Sequence, residues 1–434
     1  MTRKFARIRA YLRQANPVAF NIYAGGAAFG AYFCMYAFRK PFAAGAYAGD
    51  PGLEFLPGLE LKTLFILSQA LGYAFSKFYG VKFVSEHLGG GRARAILGLI
   101  LAAEFFLFLF ASVSGPYRAV FLFLNGLPLG MIWGLVFSYL EGRRHTEILG
   151  AILSTSFIVA SGVVKSIGLS LVHSGVSEYS MPFLTGLIFL PPLFLFVGML
   201  RLLPGPSRRE RILRVRRRPM FARERREFFF AFWPGLSLLV FIYVLLTAYR
   251  DIRDNFAREI WEALGFAGRS DALAWAEIPV MFGALFAAGL IFLVRDNRRA
   301  LIAILGLVGT GALIMGGAAL AFAMGILPPA LWMTLAGLGL YLGYVPFNSV
   351  LFDRLIAAVR IPGTAGFMIY LADALGYAGS VILLLYKDFG TARPPWEKFF
   401  LQLSYGVSAV SLVCIIISIG YFLQRTPSGR AGSL

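Results

Sequence analysis

Charge is what this chain has least of. Only 15% of its 434 residues are Asp, Glu, Lys or Arg, against roughly 25% in an ordinary soluble domain, so water is not its only solvent. Acid is scarcer still: 22 Asp and Glu face 41 Lys and Arg, a formal charge of +19. Two cysteines, Cys34 and Cys414, lie inside apolar runs, which excludes a disulfide scaffold and suits buried free thiols. The three histidines, His87, His145 and His173, are scattered, and no Cys/His cluster suggests a metal site. The run Gly89-Gly90-Gly91 leads into Arg92 with no Gly-Lys-Ser/Thr behind it, so no nucleotide cradle is indicated. Neither a cofactor nor a metal nor an enzymatic activity is expected, and energy for uphill work would come from a gradient.

Apolar bulk is abundant. Hydrophobic residues make up 58% of the chain, 42 of them Phe, more aromatic material than one compact core can bury. Apolar runs of about 20 residues recur along the whole length. They turn the basic excess away from nucleic acid and toward a membrane protein with basic cytoplasmic loops. Twelve spans are expected, at 18–46, 62–84, 93–113, 118–140, 146–173 and 182–203, then 228–256, 272–294, 299–324, 329–352, 363–386 and 399–423. The basic N-terminus runs into the first span without a small-residue cleavage site, so that span is expected to be retained.

The cations fall on one side of this arrangement. Arg3, Lys4, Arg7, Arg9 and Arg13 precede span 1; Arg92 and Arg94, Arg143 and Arg144, and Arg295, Arg298 and Arg299 occupy alternate loops; Arg425 and Arg430 follow span 12. Ser207 to Glu227 carries ten Arg against three Glu. The positive-inside rule makes that side cytoplasmic, with both termini inside, as in a bacterial inner membrane. The opposite loops are neutral or acidic, such as the one holding Asp50, Glu54 and Glu60. Residues 205–227 read as a basic cytoplasmic linker with some attraction for anionic lipid, dividing a six-span bundle over 1–204 from another over 228–434.

The halves echo one another. Gly126-Leu127-Pro128-Leu129-Gly130 in span 4 matches Gly339-Leu340-Tyr341-Leu342-Gly343 in span 10, and Arg39 and Arg250 each lie about 22 residues into spans 1 and 7. Two parallel six-span repeats with substrate held between them describe a secondary transporter, and the small residues would let helices approach closely.

Charges inside spans are costly, at least about 2.5–3.5 kcal/mol each on insertion scales, and so call for a partner or a wet cavity. Tyr32, Tyr36 and Arg39 have helical spacing, which would set two phenols and a guanidinium on one face. That face suits an oxyanion, since the Arg fork grips phosphate or carboxylate; the competing reading of Arg39-Lys40 is a pair snorkelling at the interface. Tyr249-Arg250-Asp251-Ile252-Arg253-Asp254-Asn255 is too charged to face lipid. It reads either as a helix end outside the membrane or as a cation site paired at rest by Asp251 or Asp254, and Arg250 and Asp254 are spaced to pair with each other. Lys165 and Asp373 lie deep in spans 5 and 11, and Glu277 opens span 8 beside Pro279; each is a structural salt bridge or a gate. Glu104, among Phe residues, reads as a structural hydrogen-bonding acid.

Tyr32-Phe33-Cys34-Met35-Tyr36-Ala37-Phe38-Arg39-Lys40-Pro41-Phe42 resembles the first-span signature of the organophosphate:phosphate antiporters of the major facilitator superfamily. Gly72-Tyr73-Ala74-Phe75-Ser76-Lys77-Phe78-Tyr79-Gly80 resembles that group's second span, and Pro362–Phe367 with Leu375–Ser380 its span 11. The resemblance implies an all-α membrane protein with twelve transmembrane helices in two pseudo-symmetric six-helix bundles. It also implies that Arg39 and Arg250 hold a substrate phosphate, that Lys77 lines the same cavity, and that Glu277 falls near an acidic family position. The chain departs from the pattern in span 11, which carries about four extra residues including Asp373, and in lacking the family's span-5 histidine, where Lys165 is the nearest polar group. It also resembles an uncharacterised bacterial membrane family in Leu140–Arg144 and Phe347–Ser349.

The expected function is alternating-access transport of a small organic anion, a phosphorylated metabolite first, with antiport against phosphate. Substrate would meet Arg39, Arg250, Lys77, Tyr36, Tyr73 and Lys165, while Asp254, Arg253, Glu277 and Asp373 would serve coupling or gating. Proton-coupled symport of another anion or a lysolipid-like molecule, with Asp373 or Asp254 as proton site, and a transporter-derived sensor are the alternatives. The expected partners are the anion and membrane lipid, with no nucleic acid, and a monomer suffices.

Overall fold

The computed structural model describes residues 3–47, 59–86, 91–141, 143, 145–205, 222–359, 365–390 and 394–426. Most of the linker, the loop with Asp50 and Glu54, Gly89-Gly90, Arg144 and Pro362-Gly363-Thr364 lie outside the described residues. Every regular element among the described residues is helical: α1 Arg3–Gln14, α2 Pro17–Met35, α3 Leu61–Glu86, α4 Arg92–Ser112, α5 Arg118–Leu129, α6 Ile132–Phe137, α7 Thr146–His173 and α8 Met181–Leu202 come first. Then follow α9 Ala222–Asn255, α10 Ala257–Ala263, α11 Ala272–Trp275, α12 Glu277–Phe292, α13 Asn297–Ala323, α14 Pro329–Ser349, α15 Leu351–Val359, α16 Ala365–Phe389 and α17 Trp396–Arg425. Among the described residues, ten stretches are long and apolar enough, by length and composition, to cross a membrane. The remaining two expected spans, 62–84 and 363–386, coincide with α3 and α16, of 26 and 25 residues, which carry Lys62 and Lys77 or Asp373, Lys387 and Asp388.

Several spans are broken where the backbone chemistry requires it. Span 1 was expected to run to residue 46, but α2 stops at Met35 and passes into 3-10 turns at Tyr36–Phe38 and Pro41–Ala44. Pro41 has no N–H to offer the carbonyl four residues back, which disfavours an unbroken α-helix through this segment. Arg39 therefore leaves the helix at φ −118° and does not share a regular helical face with Tyr32 and Tyr36. Span 4 is interrupted between Leu129 and Ile132, after Pro128, and α9 is kinked at Phe232, two residues before Pro234.

Contacts group the chain into two compact units. The first comprises Met1–Arg214, Asp254–Ile278 and Leu384–Arg393; the second comprises Val215–Arg253, Pro279–Leu383 and Pro394–Leu434. In the first unit α3 and α5 pack backbone to backbone. A Cβ on Gly72 would stand 2.0 Å from the Phe123 carbonyl oxygen, and one on Gly126 would stand 2.4 Å from that of Gln69. In the second, Gly311 of α13 and Gly339 of α14 approach each other's carbonyls just as closely. Bilayers offer no hydrophobic drive between helices, so this contact depends on small residues. The glycines of the sequence echo are thus packing positions in both units.

Candidate functional site

In the first unit, Arg39 is placed by a buried polar hub. The Asn125 amide nitrogen donates to the carbonyls of Phe38 at 3.1 Å and Ala103 at 2.9 Å, while its oxygen accepts from Gln69 Nε2 at 2.8 Å. Asn125 is wholly buried, and it ties α3, α4 and α5 to the turn that carries Arg39. The guanidinium carbon lies 3.8 Å from the centroid of Tyr73 and 5.8 Å from that of Tyr36. Tyr32 packs edge-on to Tyr36 with centroids 5.6 Å apart, and hydrogen-bonds Tyr73. Lys77 Nζ is 5.4 Å from the Tyr73 ring. Arg39, Tyr36, Tyr73 and Lys77 are thus one cluster, and stacking on an aromatic face leaves the in-plane N–H donors of a guanidinium directed sideways.

Also in this unit, the Asp254 carboxylate is shared by two lysines. Lys40 Nζ lies 2.5 Å from Oδ2 and Lys165 Nζ 2.7 Å from Oδ1, and Ser161 donates to the same carboxylate. Lys40 also donates to Asn255 Oδ1 at 2.8 Å, and Lys165 to the Asp254 carbonyl at 2.6 Å. Both lysines are buried. Lys40 is not an interfacial snorkelling group, and of the cations open to Asp254 from the sequence it meets Lys165 rather than Arg250. Lys165, expected to meet substrate, is held by Asp254. Nearby, Lys62 pairs with Glu259. Glu277 begins α12, where a Cβ on Gly162 of α7 would meet the Leu273 carbonyl oxygen at 2.2 Å and Glu277 Cγ at 2.9 Å.

A clamp holds the chain beyond the 3-10 turns. Glu178 accepts from the backbone N–H groups of Ala46 at 2.9 Å and Tyr47 at 2.6 Å, and from Arg258 at 2.8 Å. Tyr47 sits at φ 55° with its hydroxyl donating to the Phe42 carbonyl. Burial alone would raise the Glu178 carboxyl, but the two backbone donors and Arg258 outweigh it and hold the group below its ordinary 4.5. A depressed folded value means stability that is present above the unfolded pKa and lost as pH falls through the folded one. Glu178→Gln is expected to cost about 1–2 kcal/mol at neutral pH and to flatten the acid limb of the stability curve. Thermal unfolding of the detergent-solubilised variant between pH 3 and 7 checks this, and an unchanged acid limb would contradict it.

In the second unit, Arg250 donates from Nε and Nη2 to Asp251 Oδ1, at 3.0 and 2.7 Å, and from Nη1 to the Tyr344 hydroxyl. Of the two resting partners open from the sequence, Asp251 is the one found. Tyr243 stacks on Tyr344 with centroids 5.2 Å apart and donates to Asp373; its oxygen is also 3.2 Å from Asn348 Oδ1. Arg250, Asp251 and Asp373 therefore meet through the Tyr243–Tyr344 pair. Arg253 is elsewhere: buried against Gly337 of α14, it donates to the Met333 carbonyl at 3.1 Å. Tyr243, Tyr344 and Asn125 were not singled out from the sequence, and Lys40 only as a snorkelling neighbour of Arg39. A tyrosine in an apolar run carries no distinguishing signal, though Lys40 is adjacent to Arg39.

Glu104 of α4 also departs from expectation. It is buried, and neither carboxylate oxygen has a hydrogen-bond partner. Its Oε2 occupies the space that a Cβ on Gly186 of α8 would need, 2.1 Å away.

Among the described residues every regular element is helical and ten stretches could cross a membrane, with cations buried in both units; the chain has the major facilitator fold, which the solved transporters below share. The chain belongs to a family of unknown function (DUF5690), which it matches over residues 41–425. No curated protein matches it in sequence. A bacterial homologue of the human lysosomal transporter Spinster, solved inward-facing and unoccupied, is similar in structure at 13% identity and TM-score 0.62, over 96% of this chain and 100% of that one. A D-xylose–proton symporter is similar at 15% identity and TM-score 0.55, covering 96% and 100%. The nucleoside transporter NupG, as a point mutant, is similar at 13% identity and TM-score 0.59, covering 93% and 99%.

Proposed function

We propose that this protein is a secondary transporter that moves a small organic anion by alternating access. Phosphorylated metabolites are the favoured substrates and phosphate the exchanged ion. The observation that carries the reading is the Arg39 guanidinium 3.8 Å over Tyr73 and beside Tyr36, which itself packs against Tyr32, because a planar arginine fork among phenol hydroxyls matches the donor needs of an oxyanion. Arg250 supplies a second guanidinium, held at rest by Asp251 and Tyr344. Pairing limits the cost of burying a cation, and an arriving anion competes with Asp251 for it. Lys77 and the phenols of Tyr36 and Tyr73 add positive potential and donors beside Arg39. Asp254, with Lys40 and Lys165, is an ion lock, and Glu277, Arg253 and Asp373 belong to the moving parts. The proposed functional halves are 1–204 and 228–434 with the basic linker 205–227 between them in sequence. The proposed setting is a bacterial cytoplasmic membrane with both termini inside, which rests on the placement of Lys and Arg.

Arg39→Lys and Arg250→Lys keep charge but lose the planar fork. Each is expected to lower exchange of phosphate esters in proteoliposomes by tenfold or more, on the order of a lost charge-assisted hydrogen bond. Wild-type rates in both would sink the reading. Proton-coupled symport has one observation in its favour: Glu104, buried in a membrane span without a partner, is a place where a proton can reside. Transport that collapses with the pH gradient, ignores counter-substrate and is lost in Glu104→Gln would select that reading over antiport.

A further inference from the structure

Tyr243 of the second unit has one hydroxyl proton and three oxygens close to it. Asp373 Oδ1 accepts from it, the Tyr344 hydroxyl oxygen is 3.1 Å away, and Asn348 Oδ1 is 3.2 Å away. A phenol donates once, and an ionised carboxylate is the strongest acceptor of the three. The contact between the phenols is therefore made by the Tyr344 proton, and Asn348 Oδ1 is left as a second acceptor that Tyr243 does not use. Arg250 Nη1 donates in turn to the Tyr344 oxygen. A continuous chain thus runs from Arg250 through Tyr344 and Tyr243 to Asp373, each phenol accepting on one side and donating on the other. Tyr243 and Tyr344 are 1% and 5% exposed, which screens the middle of the chain from water, whereas Asp373 at its end is half-buried.

The chain links a second carboxylate to the guanidinium. Arg250 holds Asp251 directly, at 2.7 and 3.0 Å, and Asp373 through the two phenols. Tyr341 beside Tyr344 on α14, and Tyr377 one turn beyond Asp373 on α16, also face the cluster. Arg253 of α9 lies apart, against Gly337. An oxyanion that displaces Asp251 adds a third negative group around this guanidinium, in a region where like charges repel strongly. One proton on Asp373 relieves that repulsion, and the second acceptor of Tyr243 accommodates it. The Asp373 carboxylic acid then donates to the Tyr243 oxygen, while the Tyr243 proton turns to Asn348 Oδ1. Phenol and carboxyl are hydrogen-bonded in both arrangements.

We propose that Asp373 takes up a proton from water as an anion displaces Asp251 from Arg250, with Tyr243 and Asn348 as the switch that serves its two states. The proposal rests on the reading of Arg250 as an anion site. The proton returns to water when the anion leaves, so each anion is accompanied by a proton in either direction.

The experiment is isothermal titration calorimetry of the full chain in detergent with inorganic sulfate, repeated near neutral pH in buffers of different ionisation enthalpy. Sulfate keeps a fixed charge in this range, so every proton counted is the protein's. The wild type is expected to take up about one proton per sulfate and to gain up to about tenfold in affinity per unit fall in pH, the limit for one linked proton. Asp373→Asn, already neutral, is expected to take up none and to bind with an affinity that no longer follows pH. Asn348→Leu lacks the second acceptor and is expected to bind about tenfold more weakly in acid, on the order of one lost hydrogen bond, with little change in alkaline buffer. No proton uptake by the wild type, or equal uptake by Asp373→Asn, would overturn the proposal while leaving the anion site standing. Wild-type behaviour of Asn348→Leu in both buffers would overturn the switch. A wild type that binds no sulfate would overturn the anion site and the proposal together.

Discussion

The Asp254→Asn substitution is expected to cost about 3–5 kcal/mol, the range for removing one partner of a buried ion pair. Its carboxylate is the anion for both Lys40 and Lys165, at 2.5 and 2.7 Å, and both lysines are buried. An asparagine oxygen still accepts a hydrogen bond, but it leaves two ammonium groups without a countercharge in a region poor in water. Lys40→Gln should be milder, since Lys165 then keeps the carboxylate to itself. The triple variant Lys40→Gln/Lys165→Gln/Asp254→Asn should recover much of the loss, because no buried charge remains. Melting temperatures of the purified variants decide the matter; a wild-type melt for Asp254→Asn would sink the shared-carboxylate account. The same lock predicts a conformational effect, since Asp254 and Asn255 come from the second half of the sequence and Lys40 and Lys165 from the first. Breaking it should raise the reactivity of a cysteine placed at Ser161 toward a membrane-impermeant thiol reagent.

Gly72→Ala is expected to be nearly as damaging, for a different reason. The added Cβ would lie 2.0 Å from the Phe123 carbonyl oxygen and 2.9 Å from its carbon. Those are backbone atoms, which cannot rotate aside, so α3 and α5 must separate by about 1 Å or more to reach ordinary contact. The expected cost is about 3 kcal/mol, the upper end for overpacking. Tyr73 is the next residue and carries the stack under Arg39, so the proposed anion binding should weaken together with stability. Gly98→Ala in α4 is the control: nothing lies within 4 Å of its Cβ, and alanine suits a helix better by about 1 kcal/mol. If Gly72→Ala melts like Gly98→Ala, the close crossing of α3 and α5 is not as described.

Much of the fold was legible because membrane spans announce themselves. About 20 apolar residues are needed to bridge the bilayer, and every backbone polar group within it must be satisfied inside the segment, which makes a helix the only open choice. Boundaries were less legible where proline intervened: the end of span 1 could not be placed from hydropathy, because Tyr36–Phe38 and Pro41–Ala44, on either side of Arg39-Lys40, are as apolar as the helix before them. The site divides the same way. Arg39, Lys77, Arg250, Asp254 and Asp373 stood out because ionised groups are rare in apolar runs. Tyr243, Tyr344 and Asn125 did not, because neutral polar residues are common there and only their neighbours give them a role.

What the sequence determined by itself is therefore the solvent, the helix inventory and the set of expensive charges, since each follows from local composition set against the cost of hydrocarbon. Only the tertiary structure decided who pairs with whom. Asp254 could reach Arg250 four residues earlier on its own helix, yet it meets Lys40 and Lys165, and Arg250 turns to Asp251 and Tyr344. Lys40 and Lys165 lie 214 and 89 residues from Asp254 in sequence. Which carboxylate a buried cation finds depends on which backbones approach closely enough, and the charges alone do not specify that.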